Sequence, residues 1–109
     1  MATINLAELE EYRDQGFAIK KLYKGEQTEA AVIHLKPGQE VPPHPHDGIE
    51  VTLLPQKGHA QLNIRGEEPV PLRPGLVHYE SAGSHFGIVN DGVENFQMVV
   101  VLARSASNK

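Results

Sequence analysis

The sequence has no cysteine, no long apolar run and no basic cluster, and each absence removes a class of protein. Without cysteine there is no disulfide framework and no thiolate zinc site. No stretch approaches the roughly 18 apolar residues that a membrane span requires. The 109 residues carry 14 acidic and 10 basic side chains, a formal net charge of −4. This balance argues against a nucleic-acid or anionic-membrane surface, because few cations are present to displace phosphate counterions.

The start of the chain, read MATINLAELEEYRDQ, lacks the basic residues and apolar run of a signal peptide. We therefore expect a cytoplasmic protein. The length suits one domain over residues 1–109, with a core of about 17–103.

Glycine and proline punctuate the chain about every ten residues, which predicts many short strands and tight turns. The pattern indicates an all-β sandwich or barrel of about eight strands. We predict strands over 17–23, 28–35, 49–54, 59–65, 70–72, 76–80, 85–89 and 96–103. Prolines flank 70–72, which suits an edge strand. The last two strands are expected to pair through the turn Asn90-Asp91-Gly92.

Residues 5–16 predict the only helix, with Asn5 as its cap and Glu8 as the capping-box partner. The helix is short and its apolar stripe is narrow. We expect it to lie against the outside of a sheet.

Both faces of the last predicted strand are apolar, which indicates burial on both sides. One face carries Phe96, Met98, Val100 and Leu102, and the other carries Val99, Val101 and Ala103. The first face can fill the core. We expect a second sheet layer or a partner subunit to cover the other face, and we favour a homodimer.

The stretch GQEVPPHPHDGIE, residues 38–50, contains three metal-competent side chains, His44, His46 and Glu50. The two histidines are two residues apart, so on a strand both rings leave the same face, with Cα atoms about 6.6 Å apart. Glu50 would lie about 13 Å beyond His46 on a straight strand. It can join the pair only if the chain bends, and Asp47-Gly48 is a turn signal at that point.

These residues resemble the first motif of the cupins, which are small jelly-roll barrels. The match runs from Gly38 through His44, His46 and Glu50 to Gly58, with the last gap about one residue longer than usual. The segment PLRPGLVHYESAGSHFGIVN resembles the looser second motif, in which a glycine turn leads to one histidine and then an asparagine. The resemblance covers about 17–103.

Two alignments of the second motif are open. In the first alignment, Gly83, His85 and Asn90 are the glycine, histidine and asparagine of the motif. His85 then follows Gly83 one residue earlier than usual, and Asn90 follows His85 one residue later than usual. The alternative pairs Gly75 with His78, at the usual internal spacing, but leaves Ala82 where asparagine belongs.

The resemblance implies a double-stranded β-helix barrel, a cupin jelly roll with a short N-terminal helix. It further implies one divalent transition metal, Fe, Mn, Ni, Cu or Zn, held by His44, His46, Glu50 and His85, with His78 as the alternative fourth ligand. Open coordination positions would suit catalysis or ligand binding. His59 is expected at the surface, and His34 is either a partly buried histidine or a group behind the ligands.

The function predicted in this way is a metal-binding cupin that acts on a small organic molecule as a dioxygenase, isomerase or lyase. The alternative is a cupin that binds or senses a small ligand or metal without turnover. The family name does not select a reaction, and the sequence identifies no catalytic residue.

Overall fold

A computed structural model describes residues 2–104, which form nine β-strands and one short 3-10 helix at Leu6–Leu9. The strands are β1 (Ala18–Lys24), β2 (Thr28–Leu35), β3 (Glu40–Pro45), β4 (Ile49–Lys57), β5 (Ala60–Ile64), β6 (Val70–Leu72), β7 (His78–Glu80), β8 (His85–Val89) and β9 (Phe96–Arg104). Within this range no helix is long and apolar enough to cross a membrane. Residues 105–109 lie outside the described part.

The strands form two antiparallel sheets that pack face to face. The five-stranded sheet has the order β1-β2-β9-β4-β7, and the four-stranded sheet has the order β3-β8-β5-β6. Side chains from both sheets make one apolar core; the most deeply buried are Leu35, Leu53, Leu62, Leu72, Phe96 and Met98. The all-β jelly-roll architecture predicted from the sequence is confirmed.

Strict alternation along β4 and β9 determines which residues face the core. Val51 and Leu53 are 1% exposed, and they pair with Leu102 and Val100 of β9. The residues between them point to the outside of the five-stranded sheet. Val99 and Val101 lie on that outer face and are half-buried. The homodimer proposed to cover them stays a prediction.

Two strand predictions are wrong. No strand was predicted for β3, because Pro42, Pro43 and Pro45 remove three N–H donors; β3 tolerates them as an edge strand. The predicted pairing of β8 with β9 does not occur, because β8 lies between β3 and β5 while β9 lies between β2 and β4.

The turn after β8 carries the chain from one sheet to the other, and Asn90 holds this crossing. Its buried side-chain amide donates to the carbonyls of Leu35 at 3.0 Å and Glu94 at 2.9 Å. Its Oδ1 accepts from the backbone N–H of Gly92 at 3.0 Å. The edge position predicted for β6 is confirmed.

The predicted N-terminal helix is wrong in length. Asn5 caps the single 3-10 turn through its side chain and the N–H of Ala7, not through a capping box with Glu8. A helix this short is unstable alone, and residues 10–16, which bend at 14–16, form contacts with distant partners instead of helix. This N-terminal strap, residues 10–16, is tied to the sheet by Lys20–Glu11 and Lys36–Asp14 ion pairs of 3.0 and 2.6 Å.

The strap crosses the outer face of the five-stranded sheet, as predicted for this segment. Tyr12 stands edge-on to His34 of β2, with ring centroids 5.1 Å apart. Lys57 at the end of β4 pairs with Glu10. The strap therefore seals one side of the barrel.

Candidate functional site

A bulge in β3 sets the direction of His44. Val41 pairs with Ile88 of β8, but His44 pairs with Phe86, so three residues of β3 span two of β8. The extra residue returns His44 to the inner face that Val41 occupies. Gly87 lies opposite the bulge, where a Cβ would sit 2.7 Å from the Pro43 nitrogen. The proline pair thus needs glycine across from it to aim His44 into the barrel mouth.

His44 and His46 form an imidazole pair with ring centroids 4.3 Å apart. The Nδ1 atom of His44 lies 3.0 Å from the Pro42 carbonyl oxygen, and that of His46 lies 3.3 Å from the Ser84 carbonyl oxygen. A carbonyl only accepts, so each Nδ1 carries the proton. Both Nε2 atoms therefore keep a lone pair in the neutral rings, which is the form that a metal binds.

The loop between β7 and β8 fixes His46. Its backbone N–H donates to the Ser84 carbonyl at 3.1 Å, and its carbonyl accepts from Gly83 at 2.9 Å. Phe86 stacks on the imidazole, with centroids 4.3 Å apart and planes 10° apart. Burial lowers the pKa of His46, and the hydrogen bond to Ser84 offsets this only in part. The ring is therefore neutral at neutral pH, as a ligand must be.

The bend predicted at Asp47-Gly48 is present but does not bring Glu50 to the histidines. Gly48 has a positive φ of 71°, and the N–H of Ile49 donates to the His46 carbonyl at 3.3 Å. Glu50 then lies beside Val51 on β4 with the opposite orientation. Its carboxylate accepts a 2.6 Å hydrogen bond from Tyr79, which is 54% exposed on the outer face.

His85 lies on the opposite face of β8 from the imidazole pair, although it is near enough for its charge to help lower the pKa of His46. It pairs with Pro45 on the face opposite Phe86, and it lines an outer cavity with Asn63 and Arg65. The structure thus brings His44 and His46 together but not Glu50 or His85. Among residues 2–104, no three or more His, Cys, Asp or Glu side chains are grouped so that they could hold a metal ion.

One-residue slips explain this separation, since a slip of one along a strand reverses the face. The unusual gaps between the motif residues already indicate these slips in the sequence, but the prediction of four ligands did not take them into account. Counting back from Gly58 at the usual gap reaches Val51, and counting from Gly83 and Asn90 reaches Phe86. Both side chains are buried in the core. The residues present therefore supply two of the four implied ligands and do not fit the complete set.

His78 and Glu80 form a second polar pair on the inner face. They pair with Leu53 and Val51 of β4, which face the core, and the His78 Nε2 and Glu80 Oε2 atoms are 2.7 Å apart. Both side chains are mostly buried, at 20% and 16% exposure. Glu80 was missed in the sequence; its alternation with His78 was the available signal. The pair directly precedes the loop that fixes His46.

Comparison with known proteins agrees with this architecture. Residues 31–102, more than half of the chain, match the family described as Cupin domain. A Thermus thermophilus protein of solved structure is 26% identical, with a TM-score of 0.88, and the match covers 96% of this chain and 99% of that one. Among curated proteins no sequence matches.

Two further solved structures share the fold. A Klebsiella pneumoniae protein with a double-stranded β-helix domain is 22% identical, with a TM-score of 0.89 and coverage of 97% and 92%. A Thermotoga maritima protein described as a predicted oxalate decarboxylase is 22% identical, with a TM-score of 0.74 and coverage of 81% and 80%. At these identities the likeness bears on the fold alone.

Proposed function

The chain belongs to the cupin family, and from that premise we propose that it binds one divalent transition metal ion and a small organic molecule at His44 and His46. The observation that carries the proposal is the orientation of the two rings. Each Nδ1 donates to a backbone carbonyl, the rings lie side by side, and neither Nε2 makes a hydrogen bond within the described residues. Paired neutral imidazoles suit Fe, Mn, Ni, Cu or Zn.

His44 and His46 would hold the metal, which would supply Lewis-acid or redox chemistry when bound. The chain's own groups prepare the site. Ser84 and Pro42 fix the ring orientation, and Phe86 gives His46 an apolar wall, whereas His44 remains exposed. The Glu80 carboxylate, 2.7 Å from Nε2, orients the His78 ring on the inner face.

A second candidate is a barrel that binds a small ligand without turnover. Phe86 favours it, because its ring lies against His46 at the position where the second motif calls for another imidazole. A site with two protein ligands binds a metal less tightly than a site with four. Dioxygen uptake or substrate consumption by metal-loaded protein separates this candidate from a dioxygenase, isomerase or lyase.

Calorimetric titration of metal-stripped protein with Zn²⁺ and Ni²⁺ tests the proposal. We expect a single metal per chain, with affinity reduced about 10- to 100-fold or more in His44→Ala and in His46→Ala, because each removes a ligand. His59→Ala, which removes an exposed histidine before β5, is the matched control and should bind as wild type does.

Two further variants distinguish the pair from the four-residue set implied by the family motifs. Glu50→Gln and His85→Ala should leave the affinity unchanged if only His44 and His46 bind the metal. A loss in both would instead support ligation by all four residues. Absence of binding to the wild type would refute the metal site and leave the ligand-binding candidate.

A further inference from the structure

A cavity of about 300 Å³ lies against the four-stranded sheet, and the imidazole pair does not line it. It is lined by Pro43, Asn63, Ile64, Arg65 and His85. Asn63 pairs with Gly87, and the N–H of Arg65 donates to the His85 carbonyl at 3.3 Å, so these residues are neighbours across β5 and β8. They alternate with Phe86, which faces the core, and therefore share the outer face.

Three polar side chains at this cavity have no partner in the part of the chain that the structure describes. The side chains of Asn63, Arg65 and His85 make no hydrogen bond or ion pair there, whereas Lys20, Lys36 and Lys57 are each paired with a carboxylate. No acidic residue lines the cavity. The walls of the cavity are mostly apolar, so the uncommitted donors and the positive charge of Arg65 lie beside the cavity and do not form its walls.

We propose that this cavity binds a small organic carboxylate with an apolar body. A guanidinium presents a planar fork of N–H donors that matches a carboxylate, and it remains charged at any physiological pH. The Asn63 amide and the His85 imidazole add N–H donors beside it. The mostly apolar walls, to which Pro43 contributes, are a surface that a fully polar anion such as phosphate would not use; Ile64 borders the cavity, but its side chain packs against the core.

The site is separate from the one proposed at His44 and His46. His44 pairs with Phe86 on the inner face, whereas His85 and Asn63 share the outer face with Gly87, which adds no side chain to it. Binding there requires no metal. It also gives His85 a role that does not depend on its position in the second motif.

Titration of the ¹⁵N-labelled, metal-free protein with benzoate, followed by amide chemical shifts, tests the proposal. We expect saturable shifts at residues 63–65 and 85, with little change at His44 and His46. Arg65→Ala should weaken binding about tenfold or more, because it removes the charge-assisted contact. Arg65→Lys should recover only part of the loss, since a lysine lacks the fork. Arg73→Ala, at an exposed arginine between β6 and β7, is the matched control.

Benzyl alcohol and inorganic phosphate complete the experiment. Benzyl alcohol keeps the apolar body without the charge and should bind far more weakly. Equal binding of benzyl alcohol, tighter binding of phosphate, or unchanged benzoate affinity in Arg65→Ala would each overturn the proposal, as would shifts that never saturate. His46→Ala should bind benzoate normally, so failure at one site is distinguishable from failure at the other.

Discussion

Two regions of the barrel hold a histidine whose pKa is lowered by burial, and they leave different atoms available. His34, on the outer face of β2, is 0% exposed beneath the N-terminal strap. The Gln97 amide nitrogen lies 3.0 Å from its Nε2, so that lone pair accepts a hydrogen bond. Its Nδ1 has no hydrogen-bond partner within the described residues. At the mouth, His46 uses Nδ1 as a donor and keeps Nε2 free.

The comparison shows that tautomer and access, not the shift in pKa, separate a structural histidine from an available one. Burial lowers the pKa of both His34 and His46. The lone pair of His34 is consumed by Gln97 and the ring is covered by Tyr12. The Nε2 of His46 makes no hydrogen bond within the described residues, and its ring lies beside that of His44. Changes that alter these surroundings should therefore have different consequences in the two regions.

The largest effect is expected from placing ligands at the two inward positions of the mouth with Val51→Glu and Phe86→His. Without metal, the variant should lose about 3–5 kcal/mol of unfolding free energy, because a carboxylate replaces a side chain that is 1% exposed. Zn²⁺ or Ni²⁺ should then raise its thermal midpoint more than that of the wild type, since a metal bound only by the folded state stabilises it. Differential scanning calorimetry measures both.

The matched control moves the new carboxylate by one residue. Thr52 lies next to Val51 on β4 and points to the outer face. Thr52→Glu combined with Phe86→His should cost less stability and should gain nothing from metal. If the two double variants respond equally to metal, position 51 does not face the imidazole pair, and the explanation by one-residue slips is wrong.

A smaller but clear contrast is expected between His34→Ala and His46→Ala in urea unfolding. His34→Ala should cost about 2–4 kcal/mol, because it leaves a cavity and an unpaired, buried Gln97 amide. His46→Ala should cost about 1 kcal/mol, which is the scale of a lost aromatic stack.

A second substitution checks the cause. Gln97→Leu added to His34→Ala removes the unpaired amide and should recover part of the lost stability. If the two single variants lose equal stability, the strap does not seal His34 as described. The contrast between a structural and an available histidine would then not hold.

The elements that could be predicted from the sequence were those with local signals at both ends. The bounds predicted for β2, β6 and β8 coincide with the structure, because glycine, proline or serine turns flank each of them. The course of the strap could not be predicted from local signals. That course depends on Lys20, Lys36 and Lys57, which lie far along the chain from their acidic partners.

The candidate site was predicted in part for a related reason. His44 lies near the end of β3 and His46 follows directly after that strand, so their two-residue spacing alone keeps them together. Glu50 and His85 come from other strands, and their direction depends on register and on bulges. One residue of displacement in each motif is enough to exchange Glu50 for Val51, and His85 for Phe86, on the inner face. A count of spacing against both flanking glycines would have detected the slips.

The smallest effect expected is on the pH dependence of stability, and it sharpens the contrast at His34. Burial is the main cause that lowers its pKa below 6.5, and nearby Lys20 acts in the same direction while Glu10 opposes it. Between the lowered pKa and about 6.5, the unfolded chain binds more protons than the folded chain, so the unfolding free energy rises with pH. This contribution is complete above about pH 6.5 and is lost as the pH falls, by at most about 1.4 kcal/mol per pH unit for each such histidine.

Urea unfolding of metal-free protein between about pH 7.5 and pH 5 measures this slope without competition between protons and a metal. Asp14 and Glu11 of the strap also have lowered pKa values, because their lysine partners favour the charged carboxylates. These carboxylates become protonated only below the pH range of the experiment. His34→Gln removes the titrating ring and should flatten the slope, whereas His59→Gln should not. Since the pKa of His46 is lowered as well, some slope should survive in His34→Gln. An unchanged slope would mean that protons reach His34 as easily in the folded barrel as in the unfolded chain.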